Sequence, residues 1–409
     1  MSLLPSVEGQ WQGRVFRWRP LEGGWTWSLG LYDQVEVYTY EASGRPWTFI
    51  FDRVIYRRAL NGTMLVKWRV PGQPRQRRRL SQDEALAVEA RARRQVAAFV
   101  QALEAGQVTF RHAPPADMLP RLRAALAFDE AASRGDATRF HQVYRPIGIL
   151  PPDQYLAVVV QITEGCSFNT CTFCTFYRGQ AFRIKSPQQV EHHARAVRDF
   201  LGPGLPMRRG VFLGAANALV APMPRLLAGL EAVRRVFPEP RFGDMFAFLD
   251  AFSGERKSPA DYAALAARGL RRVYIGLESG HGPLLRFLRK PGEPEDALVA
   301  VQAMKAAGLS VGIIILLGAG GQRFAAGHVA DTIALLNALP LDRDDILYFS
   351  ELVVTPNMPY ARDAAREGLQ PLRPDEQRAQ MQAIVAGLRV AAPQARPRIS
   401  RYDIREFVY

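Results

Sequence analysis

Three closely spaced cysteines are the residues of this sequence that point most directly to chemistry. Cys166, Cys171 and Cys174 are the only cysteines among the 409 residues. Cysteine thiolates are ligands for soft metals, and three of them on one short segment can converge on a single metal centre. An odd and sparse set of cysteines argues against a disulfide framework and indicates a reducing compartment. The segment therefore predicts a metal site built from three thiolates.

The number of ligands separates the metals that three thiolates could hold. Structural zinc normally takes four protein ligands, and the nearest histidines, His192 and His193, lie on a predicted helix. A cubane iron–sulfur cluster takes one ligand per iron, so three cysteines leave one iron open to a substrate or cofactor. We expect a reactive cluster of this kind, with a zinc site or three structural cysteines as the alternatives. No further cysteine is present to ligate a second cluster.

The elements that must position the cysteines form a repeating pattern. Apolar runs alternate with helices and lack a polar face, as strands of a buried parallel sheet do. Six such units predict a parallel, incomplete (β/α)6 barrel of the TIM type. The cysteine segment follows the first strand and therefore lies at the C-terminal face, where barrel active sites are built. The predicted strands are 156–162, 210–214, 245–249, 272–277, 311–317 and 346–354.

The region before the barrel has a different pattern and predicts a smaller α+β domain. Aromatic and β-branched residues alternate over 8–70, which indicates an antiparallel sheet. Ser81 and Glu84 form a capping-box pattern that begins a helix over 81–105. The role of this domain is not evident from its sequence. The predicted domains are 1–150, the barrel at 151–365, and a C-terminal helix and tail at 366–409.

The positive charge is concentrated near the end of the predicted sheet. The formal net charge is +14, and residues 51–100 hold twelve Lys and Arg residues against four Asp and Glu residues. Trp47, Phe49 and Trp68 lie in the same region, and aromatic side chains beside cations can bind single-stranded nucleic acid. An RNA or other polyanionic substrate is therefore one expected partner. The alternatives are an arginine-rich coding bias and a solvated basic face over aromatic core residues. The basic run Arg75, Arg77, Arg78 and Arg79 is predicted to lie on a loop.

No feature of the sequence predicts a membrane protein. The longest apolar run, Val311–Leu317, is far too short to cross a bilayer. The first ten residues lack the basic start and apolar stretch of a signal peptide. We therefore expect a cytoplasmic protein.

The segment from Glu164 to Cys174 resembles the cluster-binding loop of the radical S-adenosylmethionine (radical SAM) superfamily. The commonest spacing there is C-x3-C-x2-C, whereas this sequence has C-x4-C-x2-C, with the aromatic Phe173 before the last cysteine. The resemblance extends over about 155–365 and is to the branch with elongator-like and coproporphyrinogen-oxidase-like enzymes. It implies one 4Fe–4S cluster on the three cysteines, whose open iron binds S-adenosylmethionine. It also implies reductive cleavage of that cofactor to a radical that abstracts hydrogen from substrate, and an electron donor such as a flavodoxin or ferredoxin.

The same resemblance implies further cofactor-binding residues near the ends of strands. The segment 214–217 takes the place of the Gly-Gly-Glu segment that binds the methionine amino group, although its acidic residue is absent. The segment 274–280 resembles a motif whose acidic and hydroxyl side chains reach the ribose or methionine, and 312–321 resembles the strand beside the adenine. Plain strand ends and a structural ion pair are the alternatives. The implied residues are Phe173, Gly214, Ala215, Ala216, Asn217, Glu278, Ser279 and Leu316.

Other polar residues are weaker candidates, and no catalytic residue is assigned. Arg183 and Lys185 could meet the cofactor carboxylate, although a solvated role is the alternative. Four residues at predicted strand ends are candidates for the substrate pocket: Asp250, His281, Tyr348 and Glu351.

Two other functions remain open at this point. Some coproporphyrinogen-oxidase-like proteins are thought to deliver haem, so a non-catalytic haem or cofactor chaperone is one alternative. An RNA-binding protein with a structural metal site is the other, and it predicts a steep salt dependence of binding.

Overall fold

The computed structural model describes residues 6–21, 25–33, 35–250, 256–389 and 395–409, which form two compact units. The N-terminal unit comprises Met1–Arg145, Ala196–Arg209 and Arg405–Tyr409, and the barrel unit comprises Pro146–Arg195 and Gly210–Ile404. The sequence did not indicate that two later segments join the N-terminal unit. Part of the predicted C-terminal tail, 390–394, lies outside the described residues.

The N-terminal unit is built around an antiparallel sheet, as predicted. Within the described residues its nine strands follow the order β8-β7-β6-β5-β4-β3-β2-β1-β9. Gly44 and Gly62 have φ values of 83° and 81° in the turns that β-branched residues could not form. The strands are β1 (Val7–Trp11), β2 (Arg14–Leu21), β3 (Thr26–Leu31), β4 (Glu36–Glu41), β5 (Pro46–Phe51), β6 (Val54–Arg58), β7 (Met64–Trp68), β8 (Gln76–Arg79) and β9 (Val108–Phe110).

The first helix of the same unit begins where the sequence indicated. The Ser81 side chain accepts a hydrogen bond from the Glu84 amide, and the Glu84 carboxylate accepts one from the Ser81 amide. This confirms the capping box, which satisfies backbone donors that the first turn cannot pair internally. The helices are α1 (Gln82–Glu104), α2 (Met118–Ala127) and α3 (Glu130–Val143).

The basic run and its neighbouring aromatics differ from the expectation. Arg77, Arg78 and Arg79 lie in β8, an edge strand, and not on a loop. Charged side chains on an edge strand discourage pairing with other chains, which explains a strand of such low strand propensity. Phe49 is 1% exposed in the core and offers no stacking surface. Lys67 Nζ lies 2.9 Å from Glu406 Oε2, and Arg79 Nη2 donates to the Phe407 carbonyl at 2.7 Å.

The barrel unit confirms the predicted fold class of a parallel, incomplete barrel. Its sheet has the order β10-β13-β14-β15-β16-β17-β18, and each neighbouring pair is parallel. The first six correspond to the six predicted strands. The seventh was missed because its sequence, RISR, has no apolar run. The strands are β10 (Val158–Gln161), β13 (Val211–Gly214), β14 (Met245–Leu249), β15 (Leu270–Glu278), β16 (Ser310–Leu317), β17 (Ile346–Glu351) and β18 (Arg398–Arg401), with a separate ladder of β11 (Thr163–Glu164) and β12 (Arg183–Ile184).

Helices between these strands complete the alternating pattern. Ser258 caps one of them by accepting a hydrogen bond from the Asp261 amide, as the Ser-Pro pattern predicted. Gly269 and Gly308 follow helices with φ values of 101° and 74°, the conformation expected after a helix C-terminus. The helices are α4 (Pro187–Leu201), α5 (Met223–Val236), α6 (Pro259–Ala266), α7 (Gly282–Phe287), α8 (Pro294–Ala306), α9 (Gly321–Ala338), α10 (Pro359–Arg366) and α11 (Pro374–Ala386).

Aromatic side chains fill the interior of the sheet toward its N-terminal edge. The ring centroids of Tyr274 and Tyr348 are 6.4 Å apart. Both hydroxyls donate to the Asp153 carboxylate at 2.6 Å, and Arg272 Nη1 pairs with it at 3.0 Å. Asp153 precedes β10, so this polar cluster lies at the N-terminal edge. Tyr348, a candidate for the substrate pocket, therefore belongs to this cluster at the N-terminal edge.

Among the helices of the described residues, none is both long enough and apolar enough to cross a bilayer.

Candidate metal centre and cofactor cavity

A cavity of about 270 Å³ at the carboxyl ends of the barrel strands contains the predicted metal ligands in its wall. Cys166, Cys171 and Cys174 all line it, and each is partly buried. Parallel strands end at one edge of their sheet, so the loops that follow them meet there. The other predicted cofactor or pocket residues in this wall are Phe173, Ala216, Asn217, Asp250, Glu278, Leu316 and Glu351.

The cysteine loop is closed at its base by a short ladder. Glu164 on β11 is paired with Arg183 on β12, so the two ends of the segment that carries the cysteines are held together. Gly165 has a φ of 70°, and a Cβ at this position would lie 2.9 Å from the Ala181 carbonyl oxygen. A glycine is required here because the returning chain passes directly over it.

The middle of the loop is fixed by backbone hydrogen bonds. The Thr172 amide and hydroxyl both donate to the Leu288 carbonyl, at 2.9 and 3.2 Å. The Thr172 carbonyl accepts a hydrogen bond from the Tyr360 amide at 3.0 Å. Thr172, between two of the cysteines, is fully buried. The loop is therefore positioned by the chain around α7 and α10 before any metal binds.

The longer first gap of the cysteine motif contains a left-handed residue. Asn169 has a φ of 54°, a conformation that asparagine tolerates better than most residues. Its amide nitrogen lies 3.4 Å from Cys166 Sγ, and its side chain donates to the Tyr177 carbonyl at 3.1 Å. This turn brings Cys166 back toward the other two cysteines and accommodates the four-residue gap.

The environment of the thiols fits a cationic metal centre. Burial raises the pKa of the Cys171 thiol to about 12 and also raises the pKa of Cys174. Such thiols become ligands only when a metal compensates the buried thiolate charge. No group of three or more His, Cys, Asp or Glu side chains in the described residues is placed to hold a single metal ion. Three thiols in one cavity wall, with no fourth cysteine in the sequence, fit a cluster that has one iron not bound by cysteine.

Three charged side chains lie beside the cysteines in the cavity wall. Lys290 Nζ is 3.8 Å from Glu278 Oε1, and Asp250 interacts electrostatically with both. Burial lowers the pKa of Lys290, but Asp250, Glu278, Cys171 and Cys174 together raise it by more, so the ammonium remains protonated. Burial also raises the pKa of Glu278, an effect that Lys290 opposes. Lys290 was not predicted, because Arg289-Lys290 before Pro-Gly reads as an ordinary basic helix end.

The backbone at the end of β15 is shaped to direct Glu278 into the cavity. Glu278 has a φ of 62°, and the pairing of β15 with β16 is irregular between Gly276 and Glu278. A Cβ on Gly276 would lie 2.5 Å from Glu278 Oε1, so a larger residue would displace the carboxylate.

Ser279, which was predicted to bind the cofactor, is not among the residues that line the cavity. Ser279 is fully buried, and its Oγ lies 2.7 Å from His328 Nδ1 on α9. The same Oγ accepts a hydrogen bond from the His281 amide, and Thr332 Oγ1 accepts one from the Gly280 amide, both at 2.9 Å. The left-handed turn at the preceding residue sends the Ser279 side chain to the opposite side of the strand end. Ser279 therefore fixes the turn that carries Glu278.

Only two of the four residues predicted to bind the cofactor at the end of β13 line the cavity. Ala216 and Asn217 line the cavity, whereas Gly214 and Ala215 do not. Thr163 Oγ1 donates to the Gly214 carbonyl at 3.3 Å and accepts from the Ala215 amide at 3.1 Å. Gly214 and Ala215 therefore connect β13 to β11, and only the next two residues face the cavity.

Of the other polar candidates for the cofactor site or substrate pocket, some line the cavity and some lie outside its wall. Asp250 and Glu351 line the cavity. His281 Nδ1 pairs with Asp331 Oδ2 at 2.6 Å, outside the cavity wall. Arg183 is exposed on β12, and Lys185 Nζ pairs with Glu164 Oε1 at 2.6 Å, so neither contributes to the cavity.

Comparison with protein families matches the part of the chain that contains the cysteine loop and much of the cavity wall. Residues 160–324 match the family described as the Radical SAM superfamily. The chain carries a radical SAM domain. No curated protein sequence is significantly similar to the chain.

Solved radical SAM structures are similar to this chain only at low identity. The methyltransferase TsrM from Kitasatospora setae, with cobalamin and a 4Fe–4S cluster bound, is 17% identical with a TM-score of 0.38, over 52% of this chain and 39% of that chain. Coproporphyrinogen III oxidase HemN from Escherichia coli is 15% identical with a TM-score of 0.39, over 61% and 54%. Elp3 from Methanocaldococcus infernus is 14% identical with a TM-score of 0.38, over 53% and 54%. The chain thus spans 39% to 54% of the length of these three proteins, and the similarity indicates no substrate.

Further residues of the radical SAM cavity were not evident from the sequence. Ser350 lies near the end of β17, Leu352 follows that strand, and Met358 lies just before α10. Tyr402 follows the unpredicted strand β18, and its hydroxyl donates to the Leu150 carbonyl at 2.6 Å. Each depends on a long-range contact, so no local motif signals it.

Proposed function

We propose that this radical SAM enzyme reductively cleaves S-adenosylmethionine at a single 4Fe–4S cluster and abstracts hydrogen from a substrate bound in the same cavity. The observation that carries the proposal is that Cys166, Cys171 and Cys174 share one cavity wall with Glu278 and Lys290. Thiolate ligands for a cluster and charged groups for a zwitterionic cofactor thus face the same space.

The three cysteines are the proposed cluster ligands. The chain has no fourth cysteine, so the cluster would have one iron that is not bound by a cysteine. When bound, the cluster supplies an electron that breaks a carbon–sulfur bond of S-adenosylmethionine and yields a radical able to take hydrogen from substrate. The loop hydrogen bonds at Thr172 hold its ligands in place for that group.

The charged side chains are the proposed partners of the cofactor's methionine part. S-adenosylmethionine carries a carboxylate, an ammonium and a sulfonium. Lys290 is a buried cation suited to the carboxylate, and Glu278 and Asp250 are suited to the two positive groups. A ligand with complementary charges compensates groups whose burial is otherwise unfavourable. Glu278 and Asp250 thereby replace the acidic residue that 214–217 lacks.

The apolar part of the wall is proposed to protect the radical. Phe173, Ile314 and Leu316 line the cavity, and Leu316 belongs to a buried apolar cluster against which Phe173 packs. Apolar walls of this kind exclude water and prevent side reactions of a reactive intermediate. Phe173 and Leu316 are the residues we propose to contact the adenine.

The proposal is tested by cofactor cleavage. Anaerobically reconstituted protein that is reduced with dithionite should convert S-adenosylmethionine to 5′-deoxyadenosine and methionine, detected by liquid chromatography and mass spectrometry. Cys174→Ala should abolish the reaction because it removes a ligand, whereas Thr170→Ala, at an exposed position of the same loop outside the cavity wall, should retain it. Absence of cleavage by fully reconstituted wild-type protein, together with haem binding, would instead support the cofactor-chaperone function.

A further inference from the structure

Two tyrosines in the cavity wall have hydroxyls that are bound by the backbone of the chain itself. Tyr177 and Tyr402 both line the cavity and are buried. The Tyr177 hydroxyl accepts a hydrogen bond from the Gly148 amide, and the Tyr402 hydroxyl donates one to the Leu150 carbonyl at 2.6 Å. Burial raises the pKa of both hydroxyls, so they remain uncharged. The two side chains therefore contribute mainly the apolar surface of their rings to the wall.

The segment that binds these hydroxyls also brings further apolar side chains to the cavity. A Cβ on Gly148 would lie 2.6 Å from the Cβ of Phe176, so the segment before β10 passes directly over Phe176. Ile149 follows in the same segment, and both Ile149 and Phe176 line the cavity. The aromatic part of the wall is thus packed closely against this segment.

The chain beyond β17 and β18 adds aliphatic side chains to the same wall. The two strands are paired in parallel, so the residues that follow them lie at the same edge of the sheet. Val353 follows β17 and Ile404 follows β18, and both are partly buried residues of the cavity wall. We call this surface the apolar side, defined by Ile149, Phe176, Tyr177, Val353, Tyr402 and Ile404.

The cavity wall contains little positive charge, although the chain as a whole is basic. The chain has 53 Lys and Arg residues, but among the described residues Lys290 is the only one that lines the cavity. Lys290 is already the proposed partner of the cofactor carboxylate. The carboxylates of Asp250, Glu278 and Glu351 line the same wall. A phosphate or carboxylate of a substrate would therefore be buried here without a further cation, which is unfavourable.

We infer that the part of the substrate that enters the cavity is an uncharged aliphatic or benzylic hydrocarbon group that binds against the apolar side. The inference rests on the proposed function, because this group is the one from which hydrogen would be abstracted. Burial of such a group is favourable without any polar partner, which matches a wall of rings and aliphatic side chains. Phosphate-bearing or carboxylate-bearing parts of the substrate stay outside the cavity.

Three probes that share one aromatic ring test the inference by their charge. Benzyl alcohol is uncharged, benzylamine is positive and benzoate is negative at neutral pH. Each is titrated by isothermal titration calorimetry into reconstituted, oxidised enzyme that is saturated with S-adenosylmethionine, so no turnover occurs. Benzyl alcohol should bind more tightly than either charged probe, and about 10-fold more tightly than benzoate, because burial of an unpaired charge is unfavourable. Benzoate binding as tight as that of benzyl alcohol, or tighter binding of benzylamine, would overturn the inference.

Two adjacent valines provide a matched pair of variants. Val353 lines the cavity, whereas Val354 is 48% exposed and is not among the wall residues. Val353→Asp places a carboxylate on the apolar side and should raise the dissociation constant of benzyl alcohol by about 10-fold. Val354→Asp should change it by less than about 2-fold. Equal effects of the two variants would overturn the apolar side as the binding surface, and the wild-type probe series decides the inference if Val353→Asp does not fold.

The probe titrations are separable from the proposed function because they require neither reduction nor cleavage. Wild-type protein that cleaves S-adenosylmethionine with dithionite but binds benzoate in preference would overturn this inference alone. Wild-type protein that prefers benzyl alcohol but forms no 5′-deoxyadenosine would overturn the proposed function, and with it the assignment of the bound group to a substrate.

Discussion

Buried charges are arranged differently in the two units of this molecule. In the N-terminal unit, Arg45 Nη2 and Arg58 Nη1 pair with the two oxygens of Asp136 at 2.7 and 3.3 Å. Arg45 also pairs with Glu41 at 3.0 Å, and Arg58 with Glu89 at 2.8 Å. The charges of this closed network are all buried and are satisfied within the chain.

The barrel unit contains a group of buried charges that lines a cavity. Lys290 Nζ and Glu278 Oε1 are 3.8 Å apart, and both side chains line the space that the three cysteines also line. Charges enclosed in a network within the chain present no side to a ligand, whereas charges that line a cavity can also contact a ligand there. The comparison separates a structural network from a binding site even though both consist of buried ionic groups.

The largest expected effect comes from opening the closed network. Arg58→Met leaves Glu89 and Asp136 buried without their shared cation and should lower the free energy of unfolding by about 3–5 kcal/mol. Urea denaturation followed by circular dichroism measures the change. Arg123→Met, in which an exposed pair with Glu104 is broken, should cost less than about 1 kcal/mol. If both variants lost a similarly small free energy of unfolding, the buried network would contribute no more to stability than an exposed ion pair does.

Removing the cavity cation should affect binding and not stability. Lys290→Met should weaken S-adenosylmethionine binding by about 100-fold, since a buried ionic partner is worth several kcal/mol to a charged ligand. Equilibrium binding to the reconstituted protein measures the dissociation constant.

A half-buried lysine of the barrel unit, Lys305, provides the control for this variant. Lys305 pairs with Asp342 at 2.7 Å and with the fully buried Asp345 at 2.9 Å. Lys305→Met should therefore lower the free energy of unfolding while leaving the dissociation constant unchanged. If Lys290→Met bound S-adenosylmethionine with the dissociation constant of the wild type, Lys290 would have a structural role and no role in cofactor binding.

A smaller effect is expected from the histidine that supports the Glu278 turn. Burial, with a contribution from His281, lowers the pKa of His328 to about 4. The unfolded chain binds a proton near pH 6.5 that the folded chain does not, so stability is lost as pH falls from about 6.5 to about 4, by up to about 3 kcal/mol. His328→Gln should remove this loss, as measured by urea denaturation across that pH range. His112→Gln, at an exposed position, should keep it, and an unchanged pH profile in His328→Gln would exclude His328 as its source.

The sequence predicted those features that depend on local pattern. Six apolar runs became six buried strands because both of their faces are covered, and the cysteine loop followed the first of them as expected. The strand β18 was missed because its polar residues carry no such pattern. Polarity also led us to assign β8 to a loop, although its pairing with β7 makes it an edge strand.

The details of the site depended on contacts that spacing does not encode. The left-handed turn at Glu278 places Ser279 against His328. Glu278 therefore lines the cavity, whereas the neighbouring Ser279 does not. Lys290 reaches the cavity from a segment beyond α7. The sequence therefore located the metal ligands, while the charged partners of the cofactor required the three-dimensional structure.

The central claim is that the three cysteines hold a cluster with an iron that binds S-adenosylmethionine. Electron paramagnetic resonance of the anaerobically reconstituted, dithionite-reduced protein tests it most directly, with iron and sulfide measured on the same sample. We predict about four irons and four sulfides per chain, a reduced-cluster signal whose g values shift when S-adenosylmethionine is added, and loss of both signal and iron in Cys171→Ala. A protein that holds one zinc and no iron, or a cluster signal that saturating S-adenosylmethionine leaves unchanged, would contradict the claim.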